Sequence, residues 1–354
     1  MKNEFIALVN EAIENKVFPG CNIGIVKINE DGDCVKSFYS FGNKALFPEI
    51  IKNDIDTIYD LASCSKVIST TTCIMLLLQR GKLRLYDYVK KYIPEFIHED
   101  VTIWDLLTHT SGLPEGLVGC HHMQRDEIIK GILNLELKEK KNTKIMYSDC
   151  GFALLGMLVE KVSGKTLDEF AKENLFNVLD MKDTCYNPSD ASRCAPTEDR
   201  GGYIDLGYVH DEMCHNLGGV AGHAGVFSTV KDISNFIEMI LLDGKYNGKK
   251  FFDKSVIDLL YKAQVEEKVG NGVETNKRGL GWIVKCKNSC SGDLVSDETI
   301  MHTGFTGTNV FIDRINKIGF VMLSNRVHPT RNNPRLVPFR SQIANFVIAN
   351  KEYL

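Results

Sequence analysis

Apolar residues recur at helical spacing at the start of the chain: Phe5, Ile6, Val9, Ile13 and Val17. Pro19-Gly20 follows, so an amphipathic first helix is predicted to end there. The period then changes. Residues 21–28 and 34–42 read as two strands around the turn Asn29-Glu30-Asp31-Gly32-Asp33. Beyond a polar linker, residues 67–78 are apolar nearly all round, which suits a helix buried through a domain centre. Helices are also predicted over 83–96, 103–107, 126–137, 150–162, 166–178, 229–242, 254–263 and 339–351. Residues 201–225 are rich in glycine and histidine without a clear period. From Gly279 on, 281–285, 298–303, 309–315 and 318–325 read as strands.

Strands thus cluster at both chain ends and helices fill the middle. The expected fold class is α+β: a central antiparallel sheet built from both chain ends and flanked by helices, with an inserted all-helical lobe. The expected division is an α/β lobe of residues 1–62 and 277–354 and a mainly helical lobe of 63–276. The cleft between the lobes is the default site.

Composition narrows the function classes. The 354 residues carry a net charge of −4 and no basic stripe, which argues against nucleic acid as a partner. No run approaches the roughly 20 apolar residues that span a bilayer. Glu4, Glu11 and Glu14 interrupt any signal-peptide core. The 11 cysteines are odd in number and form no C-x-x-C pair; several, such as Cys73, sit in apolar helix patterns. This suits reduced thiols, and the chain reads as soluble and cytoplasmic. A chain trimmed of an export signal would read the same.

The chemistry starts where the buried helix starts, at Ser63-Cys64-Ser65-Lys66. Residues i and i+3 share a helix face, so Ser63 and Lys66 are expected side by side. The first turn of a helix has unpaired N–H groups and the positive dipole end, which would stabilise an oxyanion formed there. Taken alone, the pattern reads more readily as an ordinary capped helix start.

Three further stretches change this: Tyr147-Ser148-Asp149, His302-Thr303-Gly304, and LLTHTSGLP at 106–114. With them stand VHDE at 209–212 and GGVAGHAGVFST at 218–229. In order, spacing and flanks the chain resembles the serine β-lactamase and penicillin-binding-protein superfamily, in its class C β-lactamase, D,D-peptidase and esterase branch. The resemblance implies that Ser63 attacks an acyl carbonyl and that water clears the acyl-enzyme. Lys66 and Tyr147 would take the serine proton as a coupled pair, and the formal base stays open between them. The backbone N–H groups of Ser63 and Phe305 would form the oxyanion hole. Asp149, His302, Thr303 and Gly304 would contact substrate.

Two positions depart from the family pattern. Asp149 replaces an asparagine and His302 a lysine. An ionised aspartate only accepts hydrogen bonds, and an imidazole attracts a substrate carboxylate weakly. Both departures point to an esterase or D,D-carboxypeptidase acting on an ester, amide or peptide, rather than to an efficient β-lactamase. A β-lactam remains a possible acylating ligand. Alternatively, Asp149 merely caps the helix that follows it. A true class C β-lactamase and a penicillin sensor without turnover are the competing functions, together with a cysteine hydrolase using Cys64 or Cys150. The chemistry needs no cofactor and no metal. Cys120-His121-His122 and His210-x3-Cys214-His215 match no standard zinc module. His109 and His223 are expected to tie loops together by hydrogen bonds, with Cys64 packed sideways from Ser63.

Overall fold

Near the centre of the main sheet, apolar side chains face both ways. The structure, a computed structural model, describes residues 1–270, 274–287 and 289–354. Among these, a nine-stranded antiparallel sheet runs in the order Ile51–Lys52, Cys34–Ala45, Gly20–Ile28, Ile318–Ser324, Asn309–Asp313, Thr299–Thr303, Ile283–Val284, Glu274–Arg278 and Val265–Val269. The central pairing joins the two ends of the chain, with Cys21 opposite Ser324 and Lys27 opposite Ile318.

Alternation then assigns each side chain a layer. Ile23, Ile25, Phe311, Phe320 and Met322 pack with Phe5 and Val9 of the helix Lys2–Glu14 and with Phe339, Ile343 and Val347 of Leu336–Ala349. Val26, Val310, Ile312 and Val321 join the second core, with Ile233, Phe236 and Ile237 of Val230–Leu241. The α+β fold with a sheet made from both chain ends is therefore as expected. Glycine sets the spacing of the inner layer. A Cβ on Gly319 would fall on Ile237 Cγ2, well inside van der Waals contact, and one on Gly24 would lie 2.7 Å from Ser234 Oγ.

The second core continues into the helical middle, where Thr72–Gln79 and Asp149–Ser163 are buried together. Differences from the sequence expectation have local causes. The predicted helix over 83–96 is reduced to one turn, Val89–Lys91. The Val89 and Ile103 N–H groups donate to Val101 and Asp87 carbonyls, so the segment is tied to its neighbour rather than to itself. Val265–Val269, the edge strand, and Glu274–Arg278 beside it are polar, with every residue exposed or half-buried, so their sequence carries no apolar alternation. The short strand Val226–Ser228 pairs with both Tyr59–Asp60 and Cys185–Tyr186, bringing the 218–229 stretch against the segment that leads into Ser63.

Gly319→Ala is expected to destabilise the protein by about 1–3 kcal/mol, the usual range for overpacking. Urea unfolding checks this, and a midpoint unchanged within error contradicts the close packing of Val230–Leu241 on the sheet.

Candidate active site

Ser63 lies in a single tight turn, Ala62–Cys64, rather than in the first turn of a regular α-helix. The backbone then widens into a π-helical segment, Lys66–Thr71, before α geometry begins at Thr72. Such widened turns are rare and frequent at functional sites. Ala62 has φ +46°, a left-handed conformation that costs energy for a residue with a Cβ. Asp60 holds the strained turn: its carboxylate accepts from the Ala62 N–H at 2.8 Å and from the His210 N–H at 2.8 Å. Burial raises the Asp60 pKa to about 6, against the pull of those N–H groups.

The Gly304–Thr308 loop is strapped to the same turn. Thr306 Oγ1 donates to the Asp60 carbonyl at 2.8 Å, and Thr308 Oγ1 to the Leu61 carbonyl at 2.9 Å. Gly304 has no room for a side chain, since a Cβ would meet Thr308 Oγ1 and the Leu61 carbonyl. Ser63 and Phe305, whose N–H groups are the expected oxyanion hole, consequently line one cleft.

Lys66 is fully buried and surrounded by oxygen. Its ammonium donates to Ser63 Oγ at 3.1 Å and to the His223 carbonyl at 2.9 Å, and lies 2.6 Å from Asp149 Oδ1. Burial opposes the charge, but the Asp149 carboxylate and Tyr147 outweigh it and push the Lys66 pKa well above its ordinary value. The lysine thus rests protonated. Tyr147 is next to it, with the ammonium 4.9 Å from the ring centroid. Burial raises the phenol pKa; Lys66 lowers it, Asp149 raises it, and hydrogen bonds to Lys66 and Ser63 lower it again, leaving it above the ordinary value.

Asp149 joins this group through Lys66, its carboxylate turned to the ammonium. It is not the helix cap. The helix begins at Asp149, and Ser148 Oγ caps it by accepting from the Gly151 N–H at 3.0 Å.

His302 and Thr303 line the cleft as the end of the strand Thr299–Thr303. Burial and the neighbouring Arg278 and Lys66 charges hold the His302 pKa well below the ordinary imidazole value, so the ring is neutral. His109 Nδ1 accepts from the Ser148 N–H at 3.0 Å, and its ring lies 4.6 Å from that of Tyr147. His223 Nε2 lies 2.8 Å from Asp211 Oδ1, while its carbonyl holds Lys66. Both histidines tie loops, as expected. Burial pushes Cys64 up to about 11 and Cys150 up to about 12, so neither is a thiolate at neutral pH. Among the described residues no three His, Cys, Asp or Glu side chains are placed to hold a metal, and no helix is long and apolar enough to cross a membrane.

The cleft is about 830 Å³ and is lined also by Arg278, Arg326, Arg331 and Arg340. None of the four stands in a motif singled out from the sequence. Arg278 closes a polar strand, Arg326 and Arg331 lie before and within a proline- and asparagine-rich turn, and Arg340 lies in the helix Leu336–Ala349; only folding brings them to Ser63.

A model of the Beta-lactamase family matches residues 25–345. The chain belongs to the Beta-lactamase family. Within the curated proteins it is similar to an N-acetylmuramyl-L-alanine amidase of Bacillus subtilis (strain 168), 30% identical, with 93% of this chain and 83% of the relative covered. It is also similar to a putative D-alanyl-D-alanine carboxypeptidase of Escherichia coli (strain K12), 29% identical over 91% of this chain and 81% of the relative. Of solved structures, the octameric penicillin-binding protein homologue from Pyrococcus abyssi shares the fold, with a TM-score of 0.73 and 21% identity, over 99% of this chain and 77% of that one. The superfamily resemblance carried by Ser63-x-x-Lys66 and its companion stretches is therefore correct. Membership of the Beta-lactamase family and hydrolase-named relatives support a hydrolase.

Proposed function

We propose that the protein is a serine hydrolase that cleaves an ester or amide through an acyl-enzyme on Ser63. The reading rests above all on one contact: a fully buried Lys66 ammonium 3.1 Å from Ser63 Oγ, at the wall of an open cleft. In this reading Ser63 attacks the carbonyl, and the Ser63 and Phe305 N–H groups face the oxyanion. Lys66 and Tyr147 move the serine proton. Because Lys66 rests charged, it must lose a proton before it can accept one. Asp149, 2.6 Å away, is the nearest carboxylate. Lys66 and Tyr147 then titrate as one unit rather than as two independent groups.

The curated relatives are named for an amide and a peptide bond, which favours peptidase, amidase or esterase activity over efficient β-lactam hydrolysis. In this reading the Asp149 carboxylate is engaged by Lys66 and carries no part of that preference.

Two experiments test the proposal. Ser63→Ala should abolish labelling by a fluorophosphonate and reduce hydrolysis of p-nitrophenyl acetate to background, with intact mass as the readout for labelling. Labelling that survives Ser63→Ala but disappears in Cys64→Ala overturns the assignment. The second concerns pH. A lysine that acts as neutral amine gains activity as pH rises toward its pKa, and Asp149 raises that pKa. Asp149→Asn should therefore move the rising limb of kcat/KM to lower pH, by about 1–3 units. A limb that stays in place contradicts the coupling.

A further inference from the structure

A second cavity, of about 310 Å³, shares no lining residue with the cleft at Ser63. Its walls are largely apolar, with Ile93, Ile129, Leu133, Met157, Leu167 and Val220 drawn from five separate segments of the helical middle. A cavity of this size, apolar with a few polar groups, has the character of a small-molecule site.

Four charged residues complete the lining: Glu95, Arg125, Glu160 and Lys161. Glu95, Arg125 and Lys161 are exposed, where water screens their charges. Glu160 is half-buried. Among the described residues its carboxylate forms no ion pair, and Oε1 accepts a single hydrogen bond, from the Leu167 N–H at 3.2 Å. Burial raises the Glu160 pKa, outweighing that hydrogen bond and the Arg125 and Lys161 charges. A cation beside Glu160 would favour the charged form again.

The cavity also reaches Gly222, the residue before His223. The Gly222 carbonyl accepts from Thr70 Oγ1 at 2.7 Å, and the His223 carbonyl from Lys66 Nζ at 2.9 Å. This segment packs backbone to backbone on the helix Asp149–Ser163. A Cβ on Gly222 would lie 2.0 Å from the Phe152 carbonyl oxygen, and one on Gly156 would lie 2.8 Å from the Gly222 nitrogen. The same helix begins at Asp149, which holds Lys66, and carries Met157 and Glu160 on the cavity wall. A molecule lodged between Met157 and Val220 therefore touches both supports of the Lys66 ammonium without entering the cleft.

We propose that this cavity binds a small apolar amine, its ammonium at Glu160, and that occupancy alters hydrolysis at Ser63 through the Gly222–His223 support of Lys66. The apolar body is removed from water among the aliphatic walls, and the ammonium donates to the half-buried carboxylate. A ligand biases such a support when it binds its alternative positions unequally. The effect on hydrolysis rests on the acyl-enzyme reading of Ser63; the binding does not.

The test uses three aromatic molecules of matched shape on the full chain: cationic N,N-dimethylbenzylamine, neutral phenylacetamide and anionic phenylacetate. A tertiary amine cannot form an amide from an acyl-enzyme, so it does not act as a second substrate. Carbon-13 methyl labelling of methionine, with the Met157 signal assigned through Met157→Leu, reports on the cavity directly. The amine should shift the Met157 methyl with a Kd in the roughly millimolar range expected for so small a ligand. That Kd should be about tenfold or more below the Kd of phenylacetate, with phenylacetamide between them. Glu160→Gln should weaken amine binding by about tenfold. Ile129→Trp, which fills the cavity, should abolish binding and keep basal hydrolysis of p-nitrophenyl acetate. Saturating amine should change kcat for that ester by about twofold or more, and Ile129→Trp should remove the change.

A Met157 methyl that no probe moves, or that amine and phenylacetate move with equal Kd, overturns the site. Binding at Met157 with kcat unchanged overturns the effect on Lys66. A purely competitive effect that survives in Ile129→Trp places the amine in the cleft and overturns the inference as well. Fluorophosphonate labelling keeps the two levels apart. If Ser63 is not labelled, the acyl-enzyme reading fails and the kinetic half falls with it, while the Met157 shift still decides the binding half.

Discussion

The charge on Lys66 is the constraint around which the site is built. An ammonium with no solvent exposure is costly, by several kcal/mol even after relaxation, unless its protons find acceptors and an opposite charge lies near. Ser63 Oγ, the His223 carbonyl and the Asp149 carboxylate meet those requirements from three separate parts of the chain. Each contact fixes something else in turn. The Ser63 contact orients the nucleophile, the His223 contact anchors the 218–229 stretch, and the Asp149 contact ties in the first residue of a buried helix. Removing Asp149 would leave the ammonium unpaired, so the local structure and the protonation of Lys66 cannot change independently.

A similar division of labour organises the opposite wall. Asp60, Thr306 and Thr308 tie the end of the Thr299–Thr303 strand to the Ser63 turn, and Arg340 grips the same loop from the terminal helix. The sheet thus delivers Phe305 to the cleft, while the helical middle delivers Lys66 and Tyr147. The strain at Ala62 is held by contacts from both sides, which is how a small unfavourable backbone conformation persists at a site.

What the sequence made legible was local. Ser63 and Lys66 are three residues apart, Tyr147 and Asp149 two, and alternating apolar strands at both ends announced the sheet. What it hid was long-range or unpatterned. Nothing local tells that an aspartate lies against a lysine 83 positions earlier. Arg278 ends a strand of polar residues beside the sheet's edge strand, where periodicity carries no information. The π-helical widening at Lys66 leaves the apolar run unchanged, so a regular helix was expected in its place. Over 83–96 the apolar spacing suited a helix, but tertiary hydrogen bonds to 101–103 prevailed over it.

The central claim is that a buried lysine beside Ser63 rests charged because Asp149 holds it so. Nitrogen-15 NMR of the Lys66 side chain, followed through a pH titration of the otherwise unmodified protein, tests it most directly. The account predicts an ammonium signal that persists through neutral pH and titrates, if at all before unfolding, above the ordinary lysine value of about 10.4. A Lys66 nitrogen already neutral at pH 7 would contradict it.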